Sequence, residues 1–592
     1  MGGKGCERSG VCGKKQDLAA LMDLLLWVTK GLGAVTTQLR KEKKAVPEEV
    51  NRQVRKNLCM TQTNTNFDKT AIEQAVTRTL LLKKDMLSLT ERKEELPHAS
   101  VWEGLPETYE ETGMQAGVLA AGDVDIRSFR ELITYAVKGM ASLANQADRL
   151  GMQDTDIDIF MQRALGQTLD DRLSGGNLLA LTMEAGRYSV RSMDLIHRAR
   201  IARFGEPEKT EVFCAGKERP GILVAGSGMQ DLYLLLEQTR DSGIDVYTHG
   251  ELLAAYAYPK LKEYPHFAGN YGGSWQNQKD DFERFHGPVL ATSEGVFLPR
   301  SSYKDRLYTT DCAGIPGCVH IEEKEDGSKD FAALIEQAKT CAPPEKREDG
   351  IRITGYGCKA LFSETEEIAA SLQNGSLSRI AAVIGDDGRA KKRVYYSDLE
   401  KALPDDALIL TAGSVSYRLA GTKKMRHCGE LADAYAIIQF ALRLREVMDV
   451  DSLNQLPLFW SLSWHSQKSI MLLLGLLYLD IKRIHLGPSW PAFLKGNVHA
   501  VFSEYFGIRE TGSVQQDLES VFGASGALIT ADLIVADIVD QYPSLIPVMA
   551  ERGLHCIGCG VSRMETLAQA CMTHGLDVYE LMDVLNAHLQ NK

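Results

Sequence analysis

The sequence predicts a multi-domain α/β protein with an N-terminal helical domain, two Rossmann-like parallel-sheet domains and a small all-helical C-terminal module. Three observations lead to this expectation. The chain has 592 residues, enough for several domains. Its first part carries apolar residues at helical spacing, and later short apolar runs alternate with helical segments. We therefore expect domains at residues 1–215, 216–375, 376–526 and 527–592.

The predicted helical domain begins with a leucine-rich run. Apolar residues from Leu18 to Val28 recur at helical spacing, and we expect Gly31 and Gly33 to end this helix. Further stretches with the helical period follow at Thr70–Leu87, Ile126–Leu150 and Ile157–Leu173.

The pattern changes near Gly221. The apolar run Ile222–Ala225 predicts a strand, Asp231–Arg240 a helix, and Val246-Tyr247 the next strand. This alternation predicts a parallel sheet flanked by helices. It resumes with predicted strands at Ile380–Ile384, Ala407–Leu410 and Ile484–Leu486.

A separate helical unit is predicted from about Leu528, because Thr530-Ala531-Asp532 is typical of a helix start. Cys556 and Cys559 in this unit form a Cys-x-x-Cys motif, and thiols at this spacing can meet on one turn as a redox disulfide.

The same motif has two other interpretations. It can be half of a zinc or iron–sulfur site that is completed by His555, Cys571 or a second subunit. The two cysteines can also have neither a redox nor a metal-binding role.

Composition and charge narrow the class of protein. The net charge is −12 and there is no long basic run, which argues against nucleic acid or an anionic membrane as the main partner. The apolar run Ile470–Leu479 is too short to cross a bilayer and predicts a buried helix. Without a signal-peptide pattern, and with twelve cysteines spread along the whole chain, we expect a cytoplasmic protein with no membrane partner.

Five short motifs occur in order along the chain: Val246–Glu251, Gly269–Trp275, Leu410–Gly413, Leu486–Pro488 and Pro491–Leu494. In this order they resemble the hybrid cluster proteins (prismane proteins, the hydroxylamine reductase family), distant relatives of carbon monoxide dehydrogenase. The resemblance runs from about Cys6 to about Phe522. The C-terminal unit resembles a small redox-disulfide domain found alone or fused to such proteins.

The resemblance implies an iron–sulfur–oxygen cluster between the domains, held by one histidine, two glutamates and four cysteines. Only Glu251 keeps a matching ligand type. Gly and Leu have no side-chain atom that can bind iron, and Ser is a poor substitute for a thiolate. We therefore expect no hybrid cluster and no hydroxylamine reduction. At the other implied ligand positions, Ser227 stands where the family has the histidine and Ser466 where it has the second glutamate. The four cysteine positions correspond to Glu294, which is followed by Gly295, and to Asp386, Ser414 and Leu431.

A different metal in the same region is an alternative. Cys428, His427 and His465 lie near the implied ligand positions and could join Asp386 and Glu251 in a mononuclear site. The simpler interpretation is that the histidines are ordinary and the cavity is filled or wet.

The N-terminus carries part of a second implied cluster site. Members of this family start with a C-x2-C pair and then a C-x5-C pair followed by Gly-Lys. This chain has only the second pair, Cys6 and Cys12, before Gly13-Lys14. Two thiolates cannot hold a cubane alone, so one hypothesis is an iron–sulfur cluster shared between two subunits. A second hypothesis is that Cys6 and Cys12 are the remnant of a lost cluster site, as free thiols or a disulfide. A third is that this sequence starts after the first cysteine pair.

Three functions remain open. The leading hypothesis is a redox protein that works in thiol or electron transfer through Cys556 and Cys559, as a dimer or larger homo-oligomer with an unknown redox partner protein. The second is a scaffold or assembly subunit without chemistry of its own. The third is hydroxylamine reductase, against which the replaced ligands argue.

Overall fold

The structure is a computed structural model that describes residues 10, 12–347, 350–386, 394–421, 423–522, 529–531, 533–555 and 565–590. These residues form a helical N-terminal region, two parallel sheets with flanking helices, and a helical C-terminal module. The predicted fold class is therefore confirmed.

Long amphipathic helices build the N-terminal region. The first helix packs against the third, fifth and seventh, and the sixth packs against the second and eighth. Aspartates or serines cap four of them through their side-chain oxygens, as helix starts favour. The described helices are α1 (Gln16–Lys41), α2 (Glu48–Met60), α3 (Lys69–Leu89), α4 (His98–Val101), α5 (Tyr109–Ala116), α6 (Val124–Arg149), α7 (Thr155–Gln167) and α8 (Gly175–Phe204).

The prediction that Gly31 and Gly33 end the first helix is wrong, because α1 continues to Lys41. Both glycines are points of close approach instead: a Cβ atom on Gly31 would overlap the carbonyl oxygen of Ala99. Among the described residues, α1 is the one helix long and apolar enough to cross a membrane, but 67% of its apolar window is buried inside the protein. The predicted helix Ile157–Leu173 also differs, since α7 ends at Gln167.

The first sheet follows a short antiparallel strand, β1 (Thr210–Phe213). Its strands are all parallel, in the spatial order fourth, third, second, fifth, sixth, seventh along the chain. The strands are β2 (Gly221–Gly226), β3 (Asp245–Thr248), β4 (Phe267–Asn270), β5 (Val289–Thr292), β6 (Leu307–Thr310) and β7 (Val319–Ile321). The helices between them are α9 (Met229–Thr239), α10 (Pro259–Lys262) and α11 (Gln278–Phe285), and α12 (Ala332–Lys339) follows β7.

The second sheet begins after β8 (Ile351–Thr354), which pairs with β1. Its strands are β9 (Ile380–Gly385), β10 (Leu408–Ala412), β11 (Lys424–His427), β12 (Leu458–Ser463), β13 (His485–Gly487) and β14 (Arg509–Glu510). Its helices are α13 (Cys358–Gln373), α14 (Tyr395–Ala402), α15 (Ala434–Val447), α16 (Gln467–Tyr478), α17 (Gly496–Ala500) and α18 (Val514–Phe522). The predicted buried helix is confirmed, because α16 is buried over most of its length.

Both sheets have the doubly wound strand order. The first strand of each sheet pairs on one side with the second and on the other with the fourth, so the winding direction reverses between β2 and β5 and between β9 and β12. Ligands in such sheets bind outside the carboxyl ends of the strands at this reversal. The topology alone therefore points to the loops after these four strands.

The C-terminal module has its own small apolar core, which includes Leu554, Leu567 and Cys571. Its described helices are α19 (Val535–Gln541), α20 (Ile546–Glu551), α21 (Leu567–His574) and α22 (Val578–Gln590).

Candidate functional site

Loops from both sheets enclose one cavity of about 80 Å³. Six residues of its wall lie one to three positions after the end of a strand, which is where the doubly wound order predicts a site. These residues are Ser227 after β2, Glu251 after β3, Glu294 after β5, Asp386 after β9, Ser414 after β10 and Ser466 after β12. The structure thus brings together six positions that the motif resemblance assigned to cluster ligands.

Glu251 bonds to the backbone of two other assigned positions. Its Oε1 atom accepts a hydrogen bond from the backbone N–H of Ser414 at 3.0 Å, and its Oε2 atom accepts one from Leu431 at 3.1 Å. Ser414 and Leu431 each begin a short helical turn, where N–H groups lack partners within the turn. Burial, with the nearby charge of Asp386, raises the pKa of Glu251 to about 8, although Lys468 opposes the shift.

Glu294 is the centre of a second group of contacts. Lys468 on α16 forms a buried ion pair with its carboxylate. Ser142 on α6 and Ser227 each donate a hydrogen bond to it at 3.0 Å. Burial favours the neutral acid, but Lys468 and the hydroxyls outweigh it and hold the pKa of Glu294 below its ordinary value.

Asp386 accepts hydrogen bonds from two serines. The hydroxyls of Ser466 and Ser469 both donate to its Oδ2 atom, the latter at 2.8 Å. The backbone carbonyl of Asp386 in turn accepts a bond from Ser463 at 2.6 Å. The two assigned positions 386 and 466 are therefore bonded to each other.

Aromatic rings and an imidazole complete the wall. Trp275 stacks on His465 with ring centroids 4.6 Å apart and on Phe297 at 5.0 Å. His249, from the motif that contains Glu251, lies 3.0 Å from the carboxylate of Asp281. This side of the cavity is therefore partly apolar.

The side chains of the cavity wall offer oxygen and nitrogen atoms as metal ligands. None of its described residues is a cysteine, and the sequence has no cysteine at 387–393, the stretch after Asp386 that lies outside the described residues. Across the described part of the chain, no three His, Cys, Asp or Glu side chains are grouped as a metal site would require.

The alternative site with Cys428 is not assembled in the described structure. Cys428 lines a separate cavity of about 10 Å³ together with His197 and Asp433. The ring of His427 bonds to Thr354 at 2.9 Å instead of facing the strand-end cavity. A short helical turn begins at Leu431, three residues after Cys428, so Cys428 is not part of that turn.

The predicted cysteine sites lie largely outside the described residues. Cys6, Cys556 and Cys559 fall in the stretches 1–9 and 556–564, and the structure gives no geometry for them. Cys12 lies in a turn and is half-buried with a free thiol. The nearby Lys14 is buried and donates to the carbonyl of Gln62, a residue of the cavity wall, at 3.2 Å.

Sequence reasoning missed two side-chain pairs. The ion pair of Lys468 and Glu294 joins residues 174 positions apart, and nothing in the local sequence of either residue indicated its partner. The thiol of Cys59 bonds to that of Cys312 in the core, and the spacing of these two cysteines did not indicate the contact. Neither pair has a spacing signal.

Comparisons with known proteins agree with this architecture. The description Prismane/CO dehydrogenase family matches residues 2–519, and Domain of unknown function (DUF1858) matches residues 529–582. The chain is 43% identical over 536 residues to the hydroxylamine reductase of Desulfovibrio desulfuricans, covering 88% of this chain and 98% of that protein. It is 41% identical over 528 residues to that of Acetivibrio thermocellus, covering 88% and 97%.

Solved structures show the same fold at much lower identity. Carbon monoxide dehydrogenase IV from Carboxydothermus hydrogenoformans superposes with a TM-score of 0.53 at 15% identity, covering 87% of this chain and 89% of that one. The enzyme from Thermococcus sp. AM4 gives a TM-score of 0.51 at 15% identity, covering 92% and 89%. Fold, motif order and sequence identity lead to one conclusion: the chain belongs to the Prismane/CO dehydrogenase family.

Proposed function

We propose that this protein is a redox member of its family that holds no hybrid cluster and does not reduce hydroxylamine by cluster chemistry. One observation carries the proposal: the strand-end cavity offers hydroxyls and carboxylates that are bonded to one another or to backbone N–H groups. The sulfide-bridged irons of such a cluster need several thiolates. A donor set without thiols does not fit that group.

The carboxylates also have other partners. Glu294 is neutralised by Lys468, and both oxygens of Glu251 accept backbone hydrogen bonds. A metal would have to displace these contacts, and each displaced buried partner costs about 1–3 kcal/mol. These contacts therefore favour a cavity without a metal centre.

The proposed chemistry belongs to the cysteines near the two ends of the chain. Cys556 and Cys559 would pass from dithiol to disulfide while a disulfide of a partner protein is reduced to its dithiol, which balances two electrons and two protons. Cys6 and Cys12 of two subunits would share one iron–sulfur cluster in a homo-oligomer. A reducing cytoplasm suits the thiols that are free in the described residues.

Metal analysis of protein purified without oxygen tests the proposal. Iron, zinc and acid-labile sulfide should be measured with EPR of the oxidised and reduced forms. About two irons per subunit with sulfide, lost in Cys12→Ser, supports the shared cluster. An EPR signal typical of the hybrid cluster, together with hydroxylamine reduction, overturns the proposal.

A second candidate function is a scaffold or assembly subunit without chemistry of its own. The same contacts favour it, because the carboxylates and hydroxyls at the strand ends are bonded to one another without a ligand. Protein with no metal, a large regular assembly in solution and full cellular function of Cys556→Ser would together favour this candidate over the redox one.

A further inference from the structure

Two buried thiols meet where the helical region contacts the first sheet. Cys59 lies in the last turn of α2 and Cys312 in the loop after β6, and these residues are only 1% and 0% exposed. The thiol of Cys59 hydrogen bonds to that of Cys312. Cys318, further along the same loop, bonds instead to the carbonyl of Lys304 at 3.6 Å. The fold thus places Cys59, and not the cysteine nearer in sequence, against Cys312.

The loop that carries Cys312 is held in a fixed conformation. Asp311, directly before it, has a φ of 56°, which is uncommon for residues other than glycine. The carboxylate of Asp311 accepts a hydrogen bond from the amide of Asn145 on α6 at 3.2 Å and lies 3.8 Å from the guanidinium of Arg149. These contacts hold the sulfur of Cys312 against the end of α2.

The pair lies near the edge of the core, where a small oxidant can approach. The sulfur of Cys312 contacts the carbonyl oxygen of Lys56 at 3.9 Å and the Oδ1 atom of Asp311 at 3.8 Å. Lys56 is exposed and Asp311 is partly buried. A molecule of the size of hydrogen peroxide therefore needs only a local opening beside Lys56 to reach this sulfur.

The hydrogen bond between the thiols gives them different roles. Because Cys59 donates it, the bond favours the thiolate of Cys312 and lowers its pKa, although burial and the charge of Asp311 keep that pKa above its ordinary value. The same bond, together with burial, raises the pKa of Cys59. Cys312 is therefore the thiol that attacks an oxidant first, and Cys59 is the one that follows.

We propose that Cys59 and Cys312 are a redox-active pair that small peroxides oxidise to a disulfide. A disulfide requires the two sulfur atoms to approach to about 2.05 Å, and thiols that already contact each other need only small side-chain movements to do so. The bond would join α2 of the helical region to the β6 loop of the first sheet. The proposal does not depend on Cys556, Cys559 or Cys12.

The oxidation balances in two steps. The sulfur of Cys312 forms an S–O bond as the O–O bond of hydrogen peroxide breaks, and the released oxygen leaves as water with the thiol proton. The sulfur of Cys59 then displaces the remaining oxygen, which leaves as a second water with the proton of Cys59. The two thiols lose two electrons, and the peroxide gains them.

A disulfide at this place would also affect the strand-end cavity. The segment that leaves α2 after Cys59 lines this cavity with residues 62–64. It then runs along the loop of Cys312, whose carbonyl accepts a hydrogen bond from the side chain of Asn66 at 3.1 Å. The cross-link would fix both the start of this segment and the loop beside it, so oxidation should make this part of the cavity wall less mobile.

Peptide mapping of the full-length protein tests this inference. Reduced protein is treated with hydrogen peroxide, the remaining thiols are alkylated in denaturant, and the digest is analysed by mass spectrometry with and without a reductant. The expected product is a pair of peptides that joins Cys59 to Cys312 and separates on reduction. Two alkylated thiols at these positions, or a sulfinic acid at Cys312 without the cross-link, would overturn the proposal.

Variants separate the cross-link from other effects of peroxide. Oxidation should raise the Tm of the unmodified protein by a few degrees, because a disulfide that closes a long loop restricts the unfolded chain. Cys59→Ala and Cys312→Ala should each lose this rise, whereas Cys571→Ala, at another buried thiol, should keep it. Hydrogen exchange of residues 61–66 should slow about tenfold or more on oxidation of the unmodified protein only. If Cys59→Ala or Cys312→Ala shows the same rise in Tm or the same slowing, the proposal is wrong.

Discussion

Lys468 and Glu294 form a buried ion pair that joins the two halves of the strand-end cavity. Lys468 belongs to α16, beside the second sheet, whereas Glu294 follows β5 of the first sheet. Their side chains are only 4% and 10% exposed, so the pair is shielded from solvent and salt. This contact makes the cavity a structural link between the two sheets.

Replacing Lys468 by Met should therefore destabilise the protein strongly. The change leaves the buried carboxylate of Glu294 without its cation, and such a loss costs about 3–5 kcal/mol. Urea denaturation followed by tryptophan fluorescence measures it. In contrast, Lys339→Met, which breaks the exposed pair with Glu336, should cost about 1 kcal/mol or less. If the two variants lowered the free energy of unfolding equally, the Lys468–Glu294 pair would not be buried.

Glu251 should make stability fall as the pH rises from about 4.5 to about 8. Because its pKa is raised from 4.5 to about 8, the folded state holds a proton there that the unfolded state has released. The difference corresponds to about 3–5 kcal/mol over this range. The amide of Glu251→Gln does not titrate, so the free energy of unfolding of this variant should depend less on pH.

The control for this prediction is Glu336→Gln, an exposed acid of α12. Its pH profile should follow that of the unmodified protein. If Glu251→Gln also follows the unmodified profile between pH 4.5 and pH 8, the carboxyl of Glu251 does not titrate in this range.

Gly31 should tolerate no side chain. In Gly31→Ala the new methyl group would overlap the carbonyl of Ala99, and overpacking costs about 1–3 kcal/mol. Gly176→Ala is the matched control in α8, because its nearest neighbour is 3.8 Å away and alanine favours helices. Thermal melts should show a loss for the first variant and no loss for the second.

Cys556→Ser should remove a reversible redox transition. If Cys556 and Cys559 form a disulfide, titration with a dithiol buffer followed by thiol alkylation should show two thiols that oxidise together in the unmodified protein. Cys571→Ser, a buried thiol of the same module, should keep the transition. A transition that persists in Cys556→Ser would assign it to other cysteines.

Sequence patterns predicted the elements better than the contacts between them. The strand at β9 and the helix at α3 follow directly from apolar periodicity. The stop at Gly31 was predicted wrongly, because a glycine that ends a helix and one that admits a neighbouring backbone look alike in sequence. Contacts between side chains depend on how distant segments pack together. The hydrogen bond from the backbone N–H of Leu431 to the carboxylate of Glu251 therefore could not be predicted from the sequence.

The candidate positions that enclose the strand-end cavity lie just beyond the strands, and none is a paired position in the register of either sheet. The pairing register of β2 with β5, or of β9 with β12, is set by residues that precede these positions. Substitutions there can alter the chemistry of the pocket while the strand pairing stays in place, although a change at Glu294 also removes the buried ion pair with Lys468. In a scaffold of this kind, point mutations in loops can change the chemistry of a pocket without changing the order of the strands.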